Sequence, residues 1–83
     1  MPVRILVDYL PTGFTDVQLK ALFEPYGAVL SATIVKRPLS GTLHFGYVEM
    51  DSREKAERAA AAINAQEIGV QRIRASVLSE EQN

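Results

Sequence analysis

The chain has no cysteine, no tryptophan and a single histidine among its 83 residues, and its aromatics are three Phe and three Tyr. Without cysteine there are no disulfide scaffolds, thiolate zinc sites or cysteine nucleophiles. One histidine leaves no imidazole cluster for a metal. No apolar run approaches the ~20 residues a bilayer span needs, and no stretch reads as a signal peptide. Charge of one sign is also missing, since nine basic and ten acidic side chains leave a formal net charge of −1. That balance argues against a non-specific polycation coat on nucleic acid. What remains suits one small domain. A chain of this length buries roughly 60% of its unfolded surface, and the 47% hydrophobic content is sufficient for that. The expectation is a soluble, cytoplasmic, single-domain protein without a cofactor.

Residues 3–9, Val-Arg-Ile-Leu-Val-Asp-Tyr, are rich in β-branched and aromatic types, and Leu10-Pro11-Thr12-Gly13 closes them with turn formers. The alternation predicts a strand with Val3, Ile5, Val7 and Tyr9 towards the core and Arg4, Leu6 and Asp8 towards solvent. Thr15 and Gln18 have the spacing of a capping box, with Phe14 and Leu19 placed for a hydrophobic staple. Val17, Leu19, Leu22 and Phe23 supply the apolar stripe of a first helix, which Pro25 and Gly27 end near Glu24. Val29 to Lys36 reads as a second strand, residues 37–42 as a loop, and Leu43 to Met50 as a third strand. A second helix begins with Asp51 as cap and Glu54 at its third position, and runs to about Asn64. Its buried stripe is Ala56, Ala59, Ala60 and Ile63. Arg72 to Leu78 alternates as a last strand, with Ile73, Ala75 and Val77 opposite Arg72, Arg74 and Ser76. Residues 1–78 thus form the domain and 79–83 a flexible acidic tail.

The order strand–helix–strand, repeated twice, predicts an α+β fold. It is a ferredoxin-like βαββαβ arrangement, a four-stranded antiparallel sheet with two helices packed on one face. The other face has no helix to cover it. Which residues it carries on the third strand is ambiguous by periodicity alone. One parity holds Leu43, Phe45, Tyr47 and Glu49, the other His44, Gly46, Val48 and Met50, and a plain hydrophobic count would bury the aromatics.

Leu43-His44-Phe45-Gly46-Tyr47-Val48-Glu49-Met50 resembles the octamer of the RNA recognition motif (RRM) family, and Ile5-Leu6-Val7-Asp8-Tyr9-Leu10 resembles that family's hexamer. The spacing between them, the Phe23-Glu24-Pro25-Tyr26-Gly27 helix ending and the alanine-rich second helix fit as well. The resemblance runs from about residue 3 to 78, and a single domain of this size is similar to the small stand-alone bacterial members. It implies that Phe45 and Tyr47 lie on the open face and stack on bases or riboses of single-stranded RNA. It also implies that Leu6 packs there without a π-face where the family usually has an aromatic. Leu43 stands where a Lys or Arg is usual, His44 where Gly is usual, and Tyr9 where Asn is common. Asp8 and Glu49 would share the face and repel phosphate. Arg4, Arg72 and Arg74 on the solvent parity, with Lys36 and Arg37 in the adjoining loop, are the candidate backbone contacts. These are five of the nine basic residues.

The function expected is therefore a single-stranded RNA-binding module, with single-stranded DNA as a second candidate ligand and no membrane partner. Stacking rather than bulk charge would carry the affinity. The alternative is a protein-interaction or self-association domain, with a weak protein partner or a homodimer covering the apolar sheet face. Catalysis has no support, because no nucleophile stands beside a base and no glycine-rich phosphate loop is present.

Overall fold

The computed structural model describes residues 2–11, 13–35, 44–68 and 71–78. The elements, in chain order, are β1 (Val3–Leu10), α1 (Asp16–Phe23), a 3-10 turn (Glu24–Tyr26), β2 (Val29–Val35) and β3 (His44–Met50). They are followed by α2 (Arg53–Ile63), β4 (Glu67–Ile68), β5 (Gln71–Arg72) and β6 (Arg74–Val77). The main sheet has the antiparallel order β2-β3-β1-β6, so the two motif-bearing strands are central. Helix α1 packs chiefly over β2 and α2 over β6, and both reach β3. This is the expected βαββαβ fold.

The core lies between the sheet and the helices. Leu19 and Phe23 from α1 and Ala56, Ala59, Ala60 and Ile63 from α2 meet Val3, Ile5, Val7, Val48, Met50, Ile73 and Ala75 of the strands and their approaches. The alanines let α2 lie close on the sheet. The capping box of α1 is formed: Gln18 N–H donates to Thr15 Oγ1 at 3.1 Å, and Thr15 N–H donates to Gln18 Oε1 at 3.0 Å. Asp16, in the first turn, accepts the Ile34 N–H at 2.8 Å and ties the helix to the outer edge of β2.

The structure departs from the sequence expectations in several places. Helix α2 is capped by Ser52, whose Oγ accepts the Lys55 N–H at 3.3 Å, and not by Asp51. Val17 is exposed, so the stripe of α1 is narrower than its apolar residues suggest. The last strand of the main sheet is only Arg74–Val77. Arg72 instead belongs to β5, which pairs with β4 in a separate two-stranded ribbon.

Tyr9 is the largest departure. The register between β1 and β3 shifts between Val7 and Leu10, where Val7 pairs with Gly46 and Leu10 with His44. One extra residue on β1 makes a bulge, and Tyr9 adopts φ +65°. Asp8 Oδ1 accepts the Tyr9 N–H at 2.8 Å and supports it. Leu10 consequently takes the core position, and Tyr9 is turned out at 42% exposure. A left-handed conformation is unfavourable for a residue with a bulky Cβ and far less so for Asn. The variant Tyr9→Asn is expected to raise the unfolding free energy by about 0.5–1 kcal/mol. Its urea midpoint should rise at unchanged slope; a lower midpoint would show that ring contacts outweigh the backbone strain.

Candidate nucleic-acid interface

Strand pairing fixes which side chains share the open face. Thr33, Tyr47, Leu6 and Ser76 form one row across β2, β3, β1 and β6. Ser31, Glu49 and Arg4 form the row on one side of it, and Val35 and Phe45 begin the row on the other, towards which Asp8 and Arg74 stand paired. The helix-facing parity of β3, from His44 through Gly46 and Val48 to Met50, is buried, whereas Phe45, Tyr47 and Glu49 are half-buried. The parity left open by periodicity is thus the one with both aromatics outward.

Gly46 explains why the opposite parity suits the helix side. A methyl group there would stand 2.8 Å from the Thr33 carbonyl oxygen and 2.9 Å from Leu19 Cδ2. The Leu19 side chain of α1 and the Thr33 carbonyl already fill the space that a side chain at position 46 would need, while the large rings occupy the uncovered face.

The rings do not lie as two parallel platforms. Their centroids are 5.7 Å apart and their planes are at 87°, which makes an edge-to-face corner. Arg4 sits over the Tyr47 ring, with Cζ 5.4 Å from its centroid. Its Nη2 donates to Glu49 Oε2 at 3.2 Å, and Ser31 Oγ donates to Glu49 Oε1 at 3.3 Å. At 54% and 32% side-chain exposure this ion pair contributes only about 0.2–1 kcal/mol. Arg4 is therefore a paired cation on the aromatic face, which the spacing of the residues gave no means of seeing. Glu49 is expected on this face from the sequence, but its contact with Ser31 is not: the two lie 18 residues apart and meet only through the β2–β3 register.

Among the other expected site residues, Leu6 is half-buried beside Tyr47, and Arg74 is exposed on β6 in register with Asp8. Arg72 lies off the sheet and donates to Glu67 Oε2 at 3.3 Å. Even so, it shares a shallow cleft with Arg74, Tyr9, Asn64, Ala65 and Ile73 at the end of β1. Lys36 and Arg37, with Leu43, lie outside the described residues. Among the described residues there is no group of three or more potential metal ligands, and no helix is long and apolar enough to cross a membrane.

The fold and the pairing define a small α+β domain with one face of its sheet uncovered by helices and carrying both aromatics of β3. The sequence pattern of the RNA recognition motif family matches residues 5–74, and the chain belongs to that family of RNA-binding domains. Its backbone is similar to the crystal structure of the RNA-binding protein PG1, with a TM-score of 0.82 and 28% identity over 98% of this chain and 99% of that one. It is also similar to RNA recognition domains 1 and 2 of Sex-lethal from Drosophila melanogaster, with a TM-score of 0.79 and 27% identity. That match covers 89% of this chain and 48% of the two-domain structure. The first two RRM domains of a yeast poly(U)-binding protein share the fold at a TM-score of 0.81 and 19% identity, over 95% of this chain and 48% of theirs.

Proposed function

We propose that the chain binds single-stranded RNA across its open sheet face, with Tyr47 stacking on a base and Phe45 contacting the neighbouring base or ribose. The observation that carries this reading is the placement of both rings, half-buried and outward, on the central strand of an uncovered sheet. Unpaired bases stack on aromatic rings whatever their identity, at ~1–3 kcal/mol per base. Leu6 extends the apolar floor under the next nucleotide, and Arg74 is placed to meet a phosphate where the strand leaves the sheet over β6. Lys36 and Arg37 in the β2–β3 connection and Arg72 beside the Tyr9 cleft are further candidates for backbone contacts. Few cations on a near-neutral domain give a shallow dependence on salt. Single-stranded DNA offers the same π-faces, so the preference for RNA would rest on contacts to the 2′-hydroxyl.

Titration with short single-stranded RNA pools, followed by backbone NMR, tests this reading. The amides of Leu6, Phe45 and Tyr47 are expected to shift, while those on the outer faces of α1 and α2 stay in place. An unmoved sheet face at millimolar RNA would overturn it. Leu6, Val35, Phe45 and Tyr47 together also make an apolar patch that a protein partner or a second copy could cover. Concentration-dependent mass in light scattering, combined with indifference to RNA, would establish that role instead.

A further inference from the structure

Glu49 is an odd residue on a surface meant for a polyanion, because a carboxylate on that face repels phosphate. Its surroundings suggest what it is for. The carboxylate is held from two sides, by Ser31 Oγ at Oε1 and by Arg4 Nη2 at Oε2. The same guanidinium lies over the Tyr47 ring. One planar group therefore covers the aromatic and donates a hydrogen bond to the adjacent carboxylate.

A guanidinium and the Watson–Crick edge of guanine share a chemical pattern. In guanine, N1–H and the 2-amino group flank one carbon of a planar system and point the same way, an arrangement of donors that the nitrogens of a guanidinium also have. Adenine and cytosine present a single amino donor beside a ring nitrogen whose lone pair would oppose a carboxylate. Uracil presents one N–H between two carbonyl oxygens. We propose that Arg4 holds the place of a guanine in the free protein, and that Glu49 selects guanine as the base stacked on Tyr47. On binding, the base replaces the guanidinium on both the ring and the carboxylate. Ser31 keeps the carboxylate oriented during the exchange, and Arg4 is released to meet a nearby phosphate. Because the Arg4–Glu49 pair is partly solvent-exposed, breaking it costs little. The inference rests on the reading that Tyr47 stacks a base, and it adds the identity of that base.

The test uses fluorescently labelled oligouridines carrying one central guanine, adenine or inosine, titrated by anisotropy against the full chain. Guanine is expected to bind at least about tenfold more tightly than adenine, as a bidentate base contact provides. Inosine keeps N1–H and lacks the 2-amino group, so it should fall between them. The variant Glu49→Gln removes one acceptor and turns an amide N–H₂ towards the base, so the preference for guanine should fall to within about twofold. Arg4→Ala removes the internal competitor and should retain the preference. Equal affinities for guanine and adenine on the wild-type chain would overturn the selection, as would an unchanged ratio in Glu49→Gln. If every oligomer binds equally and Tyr47→Ala weakens them all, RNA binding stands and guanine selection falls. If none binds, both fall.

Discussion

Replacing Tyr47 with alanine is expected to weaken RNA binding by about 1–3 kcal/mol, roughly fivefold to 150-fold, while leaving the chain folded. The ring is half-buried on the open face, and its neighbours there are Phe45, Leu6, Thr33 and Arg4. Truncation thus removes a stacking surface without opening a cavity beneath the helices. Tyr47→Phe keeps the π-face and should hold affinity close to that of the wild type. Calorimetry or anisotropy gives the affinity, and a thermal melt on the same sample gives the fold. A melt as damaged as the binding would place Tyr47 in the core and remove the main support for the proposed site.

One residue earlier on the same strand, the expectation is reversed. Gly46→Ala should lower the unfolding free energy by about 1–3 kcal/mol, as overpacking of a close-packed interior does. For a domain of this size, each kcal/mol corresponds to a drop of about 4–8 °C in Tm. The methyl group meets the Thr33 carbonyl at 2.8 Å, and that oxygen belongs to backbone held by the β2–β3 ladder. Leu19, at 2.9 Å, is fully buried and has little room to turn away. RNA affinity measured well below the new Tm should remain near that of the wild type, because the clash lies on the helix side. An undiminished Tm would mean that α1 can move away from β3 at little cost.

The fold was legible because each half of the chain states its elements twice, once by periodicity and once by punctuation. Thr15 with Gln18 marks the start of α1, and the alternation of β1 holds from Val3 to Val7, up to the bulge. The failures have local causes. Asp51 and Ser52 are both good caps, and only tertiary placement decided between them. Val17 has the spacing of the α1 stripe, yet its side chain is exposed. Two-residue strands such as β4 and β5 are too short for any periodic signal, which is why Arg72 was expected on the main sheet. For Tyr9, a clue existed in the family pattern: an Asn at that position is what a left-handed backbone favours. The candidate site was legible in which side chains share the open face (Phe45, Tyr47, Leu6, Arg4, Arg74 and Glu49), but not in how they pair. Its second component, the Arg4–Glu49–Ser31 set, exists solely because three strands lie side by side, and no linear spacing encodes that.

The bond from Ile34 to Asp16 has a bearing on how the protein behaves in concentrated mixtures. Strand β2 is an outer strand of the sheet, and its free margin is where a strand from another molecule would attach. The Asp16 carboxylate occupies one of the amide hydrogens that such a strand would need, and it brings a negative charge to the margin. Docking there would require displacing an ionised group as well as forming new bonds. The domain can thus leave an apolar sheet face open while the β2 margin discourages strand-by-strand growth into fibrils.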